Sequence, residues 1–141
     1  MVTLVDLTKE DKRLIFKARE IVKKSYVHNK DIVSDVVSIM ITQDGAEFHG
    51  VDIEKLASGS GVCAETSALT NMILAGKGES KLSLVFALYE YPPKYKKKDY
   101  MILPPCGTCR HNLSKFGNPW VIVSKTKKVR LKELYPLPFK G

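Results

Sequence analysis

Residues 82–88 read Leu-Ser-Leu-Val-Phe-Ala-Leu, apolar at every position but one. A run this short and this unbroken predicts a central strand buried on both faces, because neither face is left polar enough for water. A strand covered twice needs elements on each side of its sheet, and the flanking sequence supplies them. Residues 9–24 place Leu14, Ile15, Ala18, Ile21 and Val22 at helical spacing, with charge on the opposite face. Thr8 is a suitable N-cap for that helix, and Asp11 lies three positions on, where it can reach back. A second helix is predicted over about 62–75, with Ala64, Ala68, Leu69, Met72 and Ile73 available for burial and Gly76 and Gly78 to end it. A third follows Pro104-Pro105, over 106–116.

The Val- and Ile-rich residues 32–42 and the stretch 46–53 read as two strands joined through Gln43-Asp44-Gly45, a hairpin signal. Trp120 to Ser124 is another buried strand, and Val129 to Leu134 a last short element. Residues 26–31 read as a polar linker. Residues 54–61 are too rich in glycine and serine for regular structure, and 89–103 form a long excursion of tyrosine, proline and lysine. The order is helix, strand, strand, helix, strand, helix, strand. It predicts an α/β fold, a mixed sheet covered by helices.

The chain has 141 residues, 44% of them hydrophobic, enough for one domain (1–141) with a full core and no disulfide staples. Charged residues interrupt every apolar stretch near the N-terminus, so no signal-peptide core is expected. No segment approaches the apolar length of a membrane span, and the expected compartment is the cytoplasm. There, three cysteines read as thiols or ligands. Net charge is +8, from 23 basic and 15 acidic residues, which favours an anionic partner. The one dense basic run, Lys94 to Lys98, reads as a solvated loop or as a patch for an anion or partner.

All three cysteines fall in two short motifs, Cys63-Ala64-Glu65 and Pro105-Cys106-Gly107-Thr108-Cys109-Arg110. Each stands at the predicted start of a helix. Cys106 and Cys109 are three apart, so one helical turn can bring both sulfurs to a single zinc ion, and helix N-termini favour the thiolate. With Cys63 as a third ligand, one tetrahedral position is left for water, as in catalytic rather than structural zinc sites. Glu65 is then placed as general base and general acid. A Cys-or-His, x, Glu motif followed by Pro-Cys-x-x-Cys is the arrangement of zinc deaminases. The alternatives are a redox pair, which leaves the third cysteine unexplained, and a structural zinc with His28, His49 or His111 as fourth ligand. The latter would suit a zinc-stabilised binding protein without turnover.

These residues resemble the cytidine deaminase family, in its small, homotetrameric three-cysteine branch, which includes the blasticidin-S deaminases. Besides the two metal motifs, Gly50-Val51-Asp52-Ile53-Glu54 resembles the family's Gly-x-Asn-x-Glu segment, and Leu134 to Phe139 its Leu-Leu-Pro-x-x-Phe ending. The resemblance implies a three-layer α/β/α sandwich with a mixed five-stranded sheet. It also implies a zinc-dependent deaminase of cytidine or deoxycytidine, assembled as a homotetramer. Asp52 and Glu54 would face sugar hydroxyls, Ala64 would offer its N–H to the base, and Phe139 would approach a neighbouring subunit's site.

The departures bear on substrate. Asp52 replaces the family's asparagine, and Thr66 the arginine that follows the first metal motif in classical members. No aromatic follows Tyr26 before the first strand, where the family has a base-facing phenylalanine; Tyr89, Tyr91 and Tyr95 are candidate replacements. Three thiolates leave a zinc site with net negative charge, which Arg110 is placed to offset. Another aminopyrimidine, such as blasticidin S, is the alternative substrate. A cytosine within RNA is a more distant one, with no nucleic-acid or membrane partner expected.

Overall fold

In the computed structural model, which describes residues 2–28, 32–55 and 61–140, the apolar run is the middle of a nine-residue strand. The elements in chain order are β1 (Val5–Asp6), α1 (Lys9–Ser25), β2 (Val27–His28), β3 (Ile32–Ser34), β4 (Val36–Thr42), β5 (Glu47–Val51) and β6 (Glu54–Lys55). They continue with α2 (Ala64–Met72), β7 (Leu82–Glu90), β8 (Tyr100–Leu103), α3 (Gly107–Ser114), β9 (Trp120–Ile122), β10 (Lys127–Arg130) and α4 (Leu131–Leu134).

The main sheet runs β1-β10-β9-β7-β4-β5. β7 pairs antiparallel with β4 along one edge. Its other edge is shared: β9 lies parallel to Leu84 and Val85, and β8 antiparallel to Ala87 through Glu90. Burial on both faces follows. Leu84, Phe86 and Leu88 join Val37 and Ile39 against Leu14, Ile15, Ala18 and Val22 of α1. Met40, Leu82, Val85 and Val121 face Ala68, Leu69 and Met72 of α2, together with Leu113 and Leu131. The three layers expected are therefore present.

The capping box also forms. Asp11 N donates to Thr8 Oγ1 at 3.1 Å, and Thr8 N to Asp11 Oδ2 at 2.9 Å. The second helix is α-helical only to Met72, then runs through a wider turn, Ile73–Lys77, in which Gly76 takes φ 83°.

The sheet has seven strands rather than five. The additional ones carry weak local signals: β1 is two exposed residues held by pairing with β10, and β8 is hidden in the Tyr/Lys-rich stretch 89–103. The stretch 32–42 is two strands, broken at Asp35, and β3 leaves the main sheet to join β2 and β6 in a three-stranded one. The linker at 26–31 thus begins as strand, with 29–31 outside the described residues. The glycine- and serine-rich stretch likewise starts as β6, and 56–60 lie outside the described residues.

Candidate metal centre

Cys63 and Cys106 are the N-cap residues of α2 and α3. Both have extended backbone, and neither side chain caps its own helix. Each sulfur stands at a helix start, where amide dipoles favour negative charge. Cys109 lies in the first turn of α3 and is buried. The three sulfurs lie within 4.8 Å of one another, with Cys63 Sγ and Cys106 Sγ 3.7 Å apart. Zinc–sulfur bonds of about 2.3 Å in a tetrahedron put thiolates about 3.8 Å apart, so the cluster already has the spacing a zinc ion requires.

No histidine belongs to that group among the described residues. His111 Nδ1 lies 3.0 Å from the Tyr135 hydroxyl, and His49 Nε2 2.6 Å from Glu47 Oε2; the His28 side chain lies outside the described residues. A three-sulfur set leaves room for water.

Burial raises the thiols of Cys63 and Cys109. For Cys106 burial acts the same way, but the backbone N–H of Cys109 and the Cys63 thiol outweigh it and hold the group below its usual value. Glu65, the second residue of α2, is buried, and desolvation raises its carboxyl despite its own backbone N–H. Thr66, the residue after the first metal motif, puts its hydroxyl 3.9 Å from Cys109 Sγ. A donor at that place can soften thiolate charge. Arg110, predicted for that task, gives Nε to Pro105 O at 2.7 Å and Nη1 to Leu134 O at 3.1 Å. It ties the entry of α3 to the end of α4.

Ala64 is buried where α2 meets β5. A Cβ on Gly50 would lie 2.6 Å from Ala64 O, so only glycine lets the strand approach this closely. Asn71 Nδ2, donating to His49 O at 2.7 Å, fastens the same contact. Asp52 is also buried, and its Oδ1 accepts from the N–H groups of Asp35 and Val36 at 3.0 and 2.9 Å. Burial is the main reason its carboxyl is pushed up to about 6. Carboxylate oxygens of Asp35, Asp52 and Glu54 lie within 4.8 Å of one another. Asp35 was missed in the sequence; its only signal there is as the one acidic residue in a β-branched run. Tyr89, Tyr91 and Tyr95 form an edge-to-face chain with centroids 5.1 and 6.4 Å apart. Tyr89 adjoins the acidic group: burial and the Asp35 carboxylate raise its phenol. Phe139 remains 69% exposed, its ring 6.1 Å from that of His111.

The family model of the cytidine and deoxycytidylate deaminase zinc-binding region matches residues 8–125. The chain belongs to this family. It is therefore an aminohydrolase, and zinc is its cofactor. A cytidine deaminase of Mycoplasma genitalium is 30% identical over 105 residues, 74% of this chain and 72% of that protein. Among solved structures, the cytidine deaminase of Bacillus anthracis superposes with a TM-score of 0.70 at 19% identity, covering 91% of this chain and 88% of the other. That of Mycobacterium leprae gives 0.64 at 21%, covering 93% and 100%. At such identities the two structures establish the family's α/β fold for this chain.

Proposed function

We propose that the chain, as one catalytic domain, converts cytidine and deoxycytidine to uridine and deoxyuridine with release of ammonia. In this reading Cys63, Cys106 and Cys109 hold the zinc and Glu65 carries protons. The observation that supports it most is the buried Glu65 carboxyl two residues beyond Cys63, on the same helix start that faces the three-sulfur cluster. Bound zinc supplies a water of lowered pKa. Glu65 takes a proton from the attacking water and delivers it to ring nitrogen 3 as the oxygen bonds to ring carbon 4. It then moves the remaining hydroxyl proton to the amino group, the carbon–nitrogen bond breaks, and ammonia leaves.

Ala64 offers its backbone N–H to the ring, and Glu54, exposed beside Asp52, accepts from sugar hydroxyls. Asp52 keeps one oxygen for that purpose and commits the other to the β3–β4 break. Arg110 serves by holding the chain at Cys106. A homotetramer, with Phe139 reaching a neighbour's site, is supported by the exposure of Leu74, Leu137 and Phe139, since large apolar side chains left in water favour association. No helix among the described residues is long and apolar enough to cross a membrane; a cytoplasmic location fits that. The replacement of arginine by Thr66 and the tyrosines beside the acidic group favour a second substrate reading, an aminopyrimidine compound such as blasticidin S.

Ammonia release across cytidine, deoxycytidine, their monophosphates, cytosine and blasticidin S separates the readings. Glu65→Gln is expected to retain one zinc per chain and lose turnover by at least a factor of about 100. Full activity in that variant would remove Glu65 from the chemistry.

A further inference from the structure

Away from the cysteine cluster, the turn between β7 and β8 folds back against the end of α1 and encloses a half-open cavity of about 550 Å³. That is the size of a small-molecule site. It is lined by Tyr26, Tyr91 and Pro93 together with Lys23, Lys96, Lys97 and Lys98. Tyr26 is fixed there, its one hydroxyl hydrogen shared between the carbonyls of Glu90 and Tyr91 at 3.0 and 3.1 Å. The carboxylate in the lining, Glu90, accepts two hydrogen bonds from Arg19, at 2.6 and 2.9 Å, so its charge is already balanced.

Lys96, Lys97 and Lys98 have no ion-pair partner among the described residues, and Lys23 reaches only Glu20 of its own helix, at 3.7 Å. Lys97 lies over the Tyr91 ring, 4.4 Å from its centroid. Lys96 takes φ 50°, a left-handed conformation that costs a non-glycine residue energy, where it ends the short turn Pro93–Tyr95. The turn is held in place: Tyr91 N donates to Asp99 O, Lys96 N to Pro93 O, and Asp99 pairs with Lys125 at 2.8 Å. Four lysines line this cavity, and of the carboxylates near them Glu90 is taken by Arg19 and Asp99 by Lys125, while Glu20 pairs with Lys23, so positive charge is in excess and its members repel one another. A multiply charged anion removes that repulsion, and flat apolar walls beside it suit a planar ring.

The geometry points to a second ligand site, for a nucleoside polyphosphate, between the end of α1 and the 91–98 turn and separate from the metal centre. The phosphate chain lies among the lysines and the base against Tyr26, Tyr91 and Pro93. The turn leads through β8 directly to Pro104-Pro105-Cys106, so a ligand here borders the segment that delivers the second metal motif.

The test is calorimetric titration of the zinc-loaded protein with ATP, without magnesium and at moderate salt. Saturable binding is expected, weakened at least tenfold in a Lys96→Ala/Lys98→Ala double variant that keeps its zinc content and basal deamination. Inorganic tripolyphosphate should compete more weakly than ATP, and excess uridine should leave the ATP affinity unchanged. Absence of ATP binding, or binding indifferent to the double substitution, overturns the proposal. Equal affinity for tripolyphosphate overturns its nucleoside part. Displacement by uridine would place ATP in the deaminase pocket instead, and much tighter binding of a single-stranded oligonucleotide would assign the lysines to a nucleic-acid strand.

Discussion

Gly50→Ala is a one-carbon change that tests how the metal centre is assembled. Gly50 lies in β5 directly beneath α2. A Cβ there would come closest to Ala68 N, and would lie 2.6 Å from Ala64 O and 2.7 Å from Ser67 C. All three are backbone atoms of the helix, so no side chain can rotate away. Ordinary carbon contacts need about 3.5–4.0 Å, so helix and strand must separate by about 1 Å. Overpacking of this kind costs about 1–3 kcal/mol. The larger effect is expected on activity. Cys63 caps α2 and Glu65 lies in its first turn, whereas Cys106 caps α3 and Cys109 lies in its first turn, and a shift of about 1 Å between groups that must act together can cost about 100-fold. Urea denaturation and kcat/KM for cytidine, with zinc content measured on the same samples, read both effects. A Gly50→Ala protein with unchanged stability and unchanged kcat/KM would refute the close approach and the account of site assembly built on it.

Two further variants probe buried charge. Asp52 has its folded-state carboxyl raised from 3.8 to about 6, so the native state binds the proton more tightly and stability falls as pH rises from about 4 to 6. Asp52→Asn keeps an oxygen for the N–H groups of Asp35 and Val36 and cannot ionise. Its stability relative to the parent should therefore increase across that window, by up to about 3 kcal/mol; parallel stability–pH curves would show that the carboxyl is not raised. Arg19 makes two hydrogen bonds to Glu90, whose side chain is only 3% exposed. Arg19→Met should cost about 3–5 kcal/mol by stranding that carboxylate, and adding Glu90→Leu should recover most of it. Equal losses in the single and double variants would show that the pair's charge is not what matters.

The elements readable along the chain are those whose causes are local. Thr8 and Asp11 cap α1 within three residues of each other, the alternation of apolar and charged positions in 9–24 fixes which face is buried, and Cys106 and Cys109 share a helical turn by their spacing alone. The two cysteine motifs are legible for the same reason, each being complete within six residues, whereas their meeting across 43 residues is a matter of packing. Asp52 shows where such reading stops. Its position suggested a sugar contact, yet one of its oxygens is taken by backbone N–H groups of a strand break 16 and 17 residues away. Likewise Arg110 follows Cys109 in sequence, but its guanidinium goes to Pro105 O and, 24 residues on, Leu134 O.

The layered α/β fold, the buried central strand and the two cysteine motifs are thus legible along the chain. Packing is what makes β8 and β9 share one edge of β7, rests α2 on Gly50, sets the Thr66 hydroxyl 3.9 Å from Cys109 Sγ, and brings four lysines and two tyrosines around one cavity. The physical reason is range. Caps, periodicities and ligand spacings are settled within a few bonds of backbone, whereas the partner of a buried polar group is whichever atom the packed sheet brings within about 3 Å of it.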